Sequence, residues 1–134
     1  MRTYNSKKVT IACGSHIVTG YAEDSFVTID ETGDGVSSVA GADGEVARSV
    51  SPDPRKTVKI SLIQNSSSNA FFQRQYNRDK SDGSGTFALL IKDLTDGTIF
   101  SADTAWVNKL PSFSRGKTVG NMDWELTAVG EFED

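Results

Sequence analysis

Two residues near the N-terminus have side chains that could perform covalent chemistry. Cys13 and His16 lie three positions apart in the segment CGSH, and a cysteine beside a histidine can act as a thiol nucleophile with a general base. Cys13, however, ends the alternating apolar face of Val9 and Ile11, whereas a catalytic cysteine needs a partly exposed setting that lowers its pKa. His16 is the only histidine, which removes almost every triad or zinc arrangement. We therefore predict no catalytic residue here.

Two further segments match binding loops only in part. Residues 30–41 begin like a calcium loop, but the twelfth position, which should be a glutamate that binds the ion through both oxygens, is Gly41. We interpret this segment as the polar end of a hairpin. Residues 116–118 carry the Gly-Lys-Thr of a phosphate loop, yet Pro111 stands where its first glycine should be. We predict that the chain binds no metal or cofactor and is not an enzyme.

Composition indicates a single domain over residues 1–134 with no strong affinity for DNA. The chain has 134 residues, a net charge of −4 from 18 acidic and 14 basic residues, and one cysteine. This length fits one domain, and nucleic-acid binders usually carry a basic excess or cluster. A lone cysteine forms no intrachain disulfide and is typical of a chain that assembles in the cytoplasm. Since no apolar run approaches the ~18 residues of a membrane span, we expect no membrane anchor.

The elements that position these residues are mostly strands. Segments 8–13, 26–31, 57–64 and 122–129 alternate between apolar and polar residues, which is typical of strands with one buried face. Segment 86–92 is apolar throughout and predicts a strand covered on both faces. We expect Trp124 and the Val58/Ile60/Leu62 face to be core, and Trp106 as well.

One helix and several turns complete the predicted architecture. Residues 66–80 begin with capping side chains and place Phe72 and Tyr76 one turn apart, which predicts a helix. Asp96-Gly97 is the strongest hairpin signal. We predict an all-β fold with one flanking helix, a β-sandwich or open barrel of about seven strands with the helix between the fourth and fifth. A long hairpin joins segments 26–32 and 45–50, and its glycine-rich tip is residues 33–45.

Four motifs occur in an order that resembles phage tail tube proteins. They are IVTGYAEDSFVTI, GADGEVARS, LLIKDLTDGTIFSADTAWV and WELTA, at residues 17–29, 41–49, 89–107 and 124–128. The chain is similar to the tail tube protein of a contractile-tailed phage from about Lys8 to Ala128. The resemblance implies hexameric rings that stack into a hollow tube, a sheath outside, and a tape-measure protein and passing DNA inside. It implies a virion protein, assembled in the host cytoplasm, with no catalytic residues.

The resemblance also implies a role for the hairpin tip. We expect the tip to contact the next ring and to be loosely ordered before assembly, because glycine-rich chain loses much conformational entropy on ordering. Its glycines permit close backbone contact, and its charged side chains would pair with a neighbour. The predicted inter-ring residues are Gly35, Gly41, Ala42, Asp43, Gly44, Glu45 and Arg48.

A channel that conducts DNA must not hold it, which predicts an acidic or neutral lumen. Each lysine or arginine that contacts a phosphate adds affinity through counterion release. Lumen candidates lie on polar strand faces or in the hairpin, and they are Asp30, Glu45, Lys59, Asp123 and Glu125. Lys59 is the exception and would need an acidic neighbour.

Two alternatives stay open at this stage. The nearest is the inner tube of a phage-derived injection machine, such as a pyocin or a type VI secretion-like system, which genome neighbours would separate from a virion. The other is a monomeric carbohydrate-binding β-sandwich, which would favour aromatic residues exposed on one face. Trp106 and Trp124 instead lie beside apolar residues in alternating strands, which favours the core or an interface.

Overall fold

The framework of the molecule is an antiparallel sheet. The computed structural model describes residues 3–4, 8–22 and 26–133. Within these residues the elements are β1 (Val9–Cys13), β2 (His16–Ile17), β3 (Val27–Glu31), β4 (Val36–Ala40), β5 (Val46–Val50), β6 (Arg55–Ile63), α1 (Ser68–Asp82), β7 (Phe87–Asp93), β8 (Thr98–Lys109) and β9 (Asn121–Phe132).

Seven strands form one sheet in the order β2-β1-β7-β8-β9-β6-β3, and β4 pairs only with β5. The predicted class, mostly β with one helix, is confirmed, and the sheets are open rather than closed into a barrel. The predicted strand count and helix position were wrong, because β2 and β4 are additional short strands that precede the helix. The helix therefore follows β6, the sixth strand along the described part of the chain.

One face of the large sheet forms the core. The alternation predicted this face correctly on β6 and β9, where six inward side chains are buried and Met122 is partly buried. The six buried side chains are Val58, Ile60, Leu62, Trp124, Leu126 and Ala128. β6 and β9 pair over nine residues, from Arg55 opposite Val129 to Ile63 opposite Asn121. Because this ladder runs along the whole of β6, its two ends mark the two ends of the sheet.

The segment after β2 packs beside a strand from the other half of the sheet. After β2 the chain crosses to β6, where Tyr21 forms an isolated bridge with Leu62. The amide of Ala22 donates to the carbonyl of Ser61 at 3.0 Å, and the amide of Ile63 donates to the carbonyl of Gly20 at 2.8 Å. These contacts join the segment that follows β2 to the end of β6, and they leave β2 and β3 as the two edges of the sheet.

The helix α1 covers the core at one end of the sheet. The prediction of a helix at residues 66–80 is confirmed, with both ends displaced by two residues. Phe72 is fully buried, and its ring centroid lies 5.4 Å from that of Trp124. The side chain of Asn69 accepts a hydrogen bond from Nε1 of Trp124 at 2.8 Å. Gly83, with a left-handed φ of 77°, ends the helix.

Two predictions about burial were wrong. β7 is not covered on both faces: Leu89 is buried, Ala88 is exposed, and Leu90 is half-buried. Trp106 is not core, because β8 turns Ala105 and Val107 inward and leaves Trp106 half-buried on the outer face. An apolar sequence does not by itself distinguish a strand with two covered faces from one whose outer face is only partly covered.

The β7–β8 hairpin confirms the turn that Asp96-Gly97 predicted. Gly97 has a φ of 81°, and its amide donates to the carbonyl of Asp93 at 2.9 Å. A positive φ is strained for residues with a side chain, so the turn requires glycine at this position.

Candidate assembly surfaces

The strands β4 and β5 follow β3 and precede β6 in the sequence. They form a separate hairpin outside the large sheet, and we call residues 36–50 the arm. All ten residues of its two strands are exposed. The pairing runs from Val36 opposite Val50 to Ala40 opposite Val46. A two-stranded hairpin is marginally stable in water by itself. In a single copy, the large sheet therefore does not support the arm.

The predicted boundaries of the long hairpin need a correction. Segment 26–32 does not pair with 45–50, because β3 pairs with β6 instead. The glycine-rich tip is also shorter than residues 33–45, because Val36–Ala40 is a strand. The β-branched residues Val36 and Val39 favour a strand, and the glycines at 33 and 35 precede it. The turn itself is only residues 41–45.

This turn has a defined backbone geometry. The amide of Gly41 donates to the carbonyl of Glu45 at 2.7 Å, and the amide of Gly44 donates to the carbonyl of Gly41 at 2.9 Å. Oδ1 of Asp43 accepts the amide of Glu45 at 3.1 Å. Gly44 has a φ of 86°, which explains the glycine. The carboxyl groups of Asp43 and Glu45 are exposed at the end of the arm.

Most of the predicted inter-ring residues lie together in the turn. Gly41, Ala42, Asp43, Gly44 and Glu45 form it. Gly35 lies instead at the base of the arm, where its carbonyl accepts the amide of Ser51 at 2.8 Å. Arg48 lies in the middle of β5 opposite Ser38.

Both faces of the arm expose apolar side chains. Val36, Val46 and Val50 share one face, and Val39 lies on the other. Val50 is 73% exposed and Val39 is 69% exposed. Contiguous exposed apolar residues mark interaction sites more often than isolated ones do. The arm therefore offers apolar contact as well as charge.

An ion pair holds the base of the arm. The guanidinium of Arg55 contacts the carboxylate of Asp53, with Nη2 2.8 Å from Oδ2. Oδ1 of Asp53 also accepts the backbone amide of Arg55 at 3.0 Å. The side-chain hydrogen bond and then the backbone one lower the pKa of Asp53 to about 2. Thr32 adds a hydrogen bond to the carbonyl of Arg55 at 3.1 Å.

A second surface is the outer face of the sheet, which carries four of the five lumen candidates. Asp30 lies on β3, Lys59 on β6, and Asp123 and Glu125 on β9, all on the face opposite the core. Glu45 lies away from this face, in the turn of the arm.

The charges on this outer face have neighbours of their own. Lys59 lies directly opposite Glu125 in the ladder, so the acidic neighbour that it was expected to need is present. Asp123 accepts a hydrogen bond from Ser61 at 2.7 Å, and Glu125 accepts one from Asn108 at 2.9 Å. The face is therefore polar and locally balanced, with no run of lysine or arginine.

Sequence reasoning missed a third surface, the loop between β8 and β9. We call residues 109–120 the basic loop, because it carries Lys109, Arg115 and Lys117, and no acidic residue occurs from 104 to 122. Phe113 is 80% exposed, and the guanidinium of Arg115 lies 4.2 Å from its ring centroid. A count of charges by segment would have found this loop, which was considered only as an incomplete phosphate loop.

Of the two residues considered for covalent chemistry, Cys13 lies inside the fold and His16 is half-buried. Cys13 is fully buried, and desolvation raises its pKa to about 12, which suits a packing role. His16 stacks on Phe71 with ring centroids 4.4 Å apart, and its Nε2 lies 2.9 Å from Oγ of Ser68. Desolvation, followed by the charge of Arg74, lowers the pKa of His16.

The described residues contain neither a cluster of metal-ligating side chains nor a membrane-spanning helix. Among residues 3–4, 8–22 and 26–133, no group of three or more His, Cys, Asp or Glu side chains could hold a metal ion. The helix found in these same ranges is not long and apolar enough to cross a membrane.

Comparison with known protein sequences gives two matches of different kinds. A family model described as bacteriophage PhiTE tail tube protein matches residues 1–132. The chain is also 28% identical over 133 residues to structural protein ORF10 of Pseudomonas phage KPP10, an alignment that covers 93% of this chain and 77% of the relative. The family is one of structural proteins, which confirms the prediction that the chain is not an enzyme.

Solved structures with a similar fold come from contractile injection systems. The cap that terminates the tube of the anti-feeding prophage superposes with a TM-score of 0.66 at 12% identity, over 99% of this chain and 92% of that one. The PVC sheath-tube complex gives 0.66 at 11% identity, over 98% and 91%. The PVC sheath/tube terminator gives 0.67 at 10% identity, over 100% and 99%. At these identities the likeness establishes the fold.

Proposed function

The chain belongs to the bacteriophage PhiTE tail tube protein family, and from this premise we propose that it forms hexameric rings that stack into the hollow inner tube of a contractile tail. The whole chain, residues 1–134, acts as one tube subunit. The single observation that carries the proposal is the arm, whose strands are fully exposed in one copy. An arm of this kind is stable when neighbouring copies cover it.

The outer face of the sheet lines the channel in this proposal. The open edges of the sheet, at β2 and β3, allow six copies to continue the sheet around a central axis by strand pairing. Asp30, Asp123 and Glu125 then face the lumen, and Glu125 lies beside Lys59. Because this surface lacks a run of cations, DNA would pass along it without strong binding to phosphates.

The arm makes the contact between successive rings. Glycines in its turn let a neighbouring backbone approach closely, while the valines next to the turn supply apolar contact. The contact residues are Gly35, Gly41, Ala42, Asp43, Gly44, Glu45 and Arg48.

The tube lies in the virion, with sheath protein outside and a tape-measure protein and then DNA inside, and it is assembled in the host cytoplasm. A second candidate is the same tube in a phage-derived injection machine, a pyocin or a type VI secretion-like system. The fold supports both candidates equally, and the phage relative supports the virion. Capsid genes beside the coding sequence would support the virion as well.

Electron microscopy and native mass spectrometry of the concentrated protein test this proposal. We expect six-copy rings and stacks of rings. A species that stays monomeric at every salt and protein concentration would refute the proposal and revive the monomeric carbohydrate-binding alternative.

A further inference from the structure

The arm and the basic loop leave the sheet at opposite ends. β6 begins at Arg55, at the base of the arm, and ends at Ile63, which lies opposite Asn121. Asn121 directly follows the basic loop. Nine residues at ~3.3 Å per residue separate the two ends by roughly 26 Å. In a head-to-tail stack whose axis runs along β6, the arm end of one copy therefore faces the loop end of the next.

The two ends carry opposite charge. At the arm end, the turn carries the exposed carboxyl groups of Asp43 and Glu45, and Arg48 in β5 is the one cation among residues 36–50. Residues 104–122 contain Lys109, Arg115 and Lys117 and no acidic residue. This separation is complementary between copies, because a head-to-tail contact joins two different surfaces of the same chain.

Both ends also expose apolar side chains close to the charges. Val46 follows Glu45 directly and is 62% exposed. On the loop, Phe113 is exposed with the guanidinium of Arg115 over its ring. Interfaces commonly combine a central aromatic or aliphatic anchor with charges that orient the approach. Each end therefore carries both an apolar side chain and charged side chains, as such interfaces do.

We propose that the turn of the arm in one copy docks on the basic loop of the next copy along the tube. Asp43 and Glu45 face Arg115 and Lys117, and the valines beside the turn cover Phe113. This inference rests on the proposed function, because it names the surface that the arm contacts. It also gives the tube a polarity, since every ring presents arms at one end and basic loops at the other.

Reversing the charge of each end separately tests the docking. The arm variant combines Asp43→Asn with Glu45→Lys, where asparagine keeps the side-chain acceptor of the turn. The loop variant combines Arg115→Glu with Lys117→Glu. We expect each variant to form rings that do not stack, and the quadruple variant to form tubes again. The matched control is Arg74→Glu with Lys80→Glu, two exposed positions on α1, which should stack like the unmodified chain.

Mixing preformed rings of the two variants is the more discriminating test. The arm variant has positive charge at both ends and the loop variant has negative charge at both ends, so neither stacks on itself. Every contact between the two kinds of ring is again between opposite charges. We expect the mixture to form tubes of alternating rings, visible by electron microscopy, whereas neither variant forms them alone.

Three outcomes overturn the inference in distinguishable ways. Normal tubes from the loop variant would show that the basic loop is not at the ring-to-ring contact. Stacking lost in both variants without rescue in the quadruple variant or the mixture would show that each end binds a different partner. An unmodified chain that forms no rings would refute the proposed function itself, and circular dichroism would confirm that the subunits are folded.

Discussion

The molecule contains two hairpins with similar turns, one packed against the core and the other exposed to solvent. In the β7–β8 hairpin, Leu89 and Ile91 are buried against the core. In the arm, every strand residue is exposed, including four valines. Both hairpins have a glycine with positive φ in the turn, Gly97 in one and Gly44 in the other. Turn residues and strand propensity favour a hairpin in each case. Only the β7–β8 hairpin also packs against the core of its own chain.

The difference separates stability from assembly. The strands of the large sheet are held by the core that they share, so changes there alter the free energy of unfolding of a single subunit. The arm buries little in one copy, so its residues should contribute little to the free energy of unfolding of a single subunit. Mutations in the two regions should therefore be distinguishable by measuring unfolding and tube formation on the same variant.

The largest effect on folding is expected at Trp124. This side chain is 1% exposed and packs against Phe72, and removing a large core side chain costs about 3–5 kcal/mol. Trp124→Ala should lower the free energy of unfolding by that amount in a denaturant titration. Trp106→Ala is the matched control, because Trp106 is only half-buried on the outer face, and it should cost less than half as much. Equal costs would contradict the assignment of the two faces.

The second effect is expected at Gly130 in β9. A Cβ at this position would press on the carbonyl oxygen of Ser101 and on Cα of Ala102 in β8. These are backbone atoms that cannot rotate away, so Gly130→Ala should cost about 1–3 kcal/mol, the usual range for overpacking. Gly116→Ala in the basic loop is the control, because an added Cβ meets nothing within 4 Å there. If both variants unfold at the same denaturant concentration, the β8–β9 ladder is less rigid than the structure indicates.

A deletion of the arm should leave folding almost unchanged and stop assembly. Replacing residues 36–50 with two glycines removes strands that contribute no residue to the buried core, so we expect a change in unfolding free energy below about 1 kcal/mol. Circular dichroism measures the fold, and electron microscopy measures the tubes. Normal tubes without the arm would show that it is a solvated hairpin, and would refute its role between rings. A deletion of only Gly35 to Asp43 would be less informative, because it would remove β4 and leave β5 without its pairing partner.

Much of the framework could be predicted from the sequence, because alternation with period two reports burial directly. It identified the inward faces of β6 and β9, the helix, and the β7–β8 turn. It did not identify β4, because a short strand exposed on both faces has no alternation between buried and exposed residues. It also failed for Trp106, since an apolar residue between two inward-facing neighbours occupies the outer face whatever its hydrophobicity.

The assembly surfaces were predictable only in part, for a related reason. The turn of the arm was recognisable from its glycines and from the family resemblance, and the lumen candidates from polar positions on strands. The basic loop was missed because its meaning depends on where it lies in the fold. Only the pairing of Ile63 with Asn121 shows that the loop and the arm lie at opposite ends of the sheet.

The smallest effect is expected at the base of the arm, where Asp53 and Arg55 form an exposed ion pair. The hydrogen bond from the Arg55 side chain, with a second from its backbone amide, lowers the pKa of Asp53 from the ordinary 3.8 to about 2. A lowered carboxyl pKa means that the pair stabilises the folded base above pH 3.8, and that this contribution is lost as the pH falls through about 2. An NMR titration of the Asp53 carboxyl carbon should therefore have its midpoint near pH 2.

Arg55→Gln separates the two causes of this shift. It removes the charged partner and leaves the backbone amide, so the pKa of Asp53 should rise toward its ordinary value without reaching it, because the backbone hydrogen bond at 3.0 Å persists. Because the pair is fully exposed, the variant should unfold at nearly the same denaturant concentration at pH 7. A midpoint that stays near pH 2 in Arg55→Gln would show that the backbone amide alone sets the pKa. The backbone hydrogen bond, and not the ion pair, would then determine the conformation at the base of the arm. A change in ionic strength should then leave that conformation unchanged.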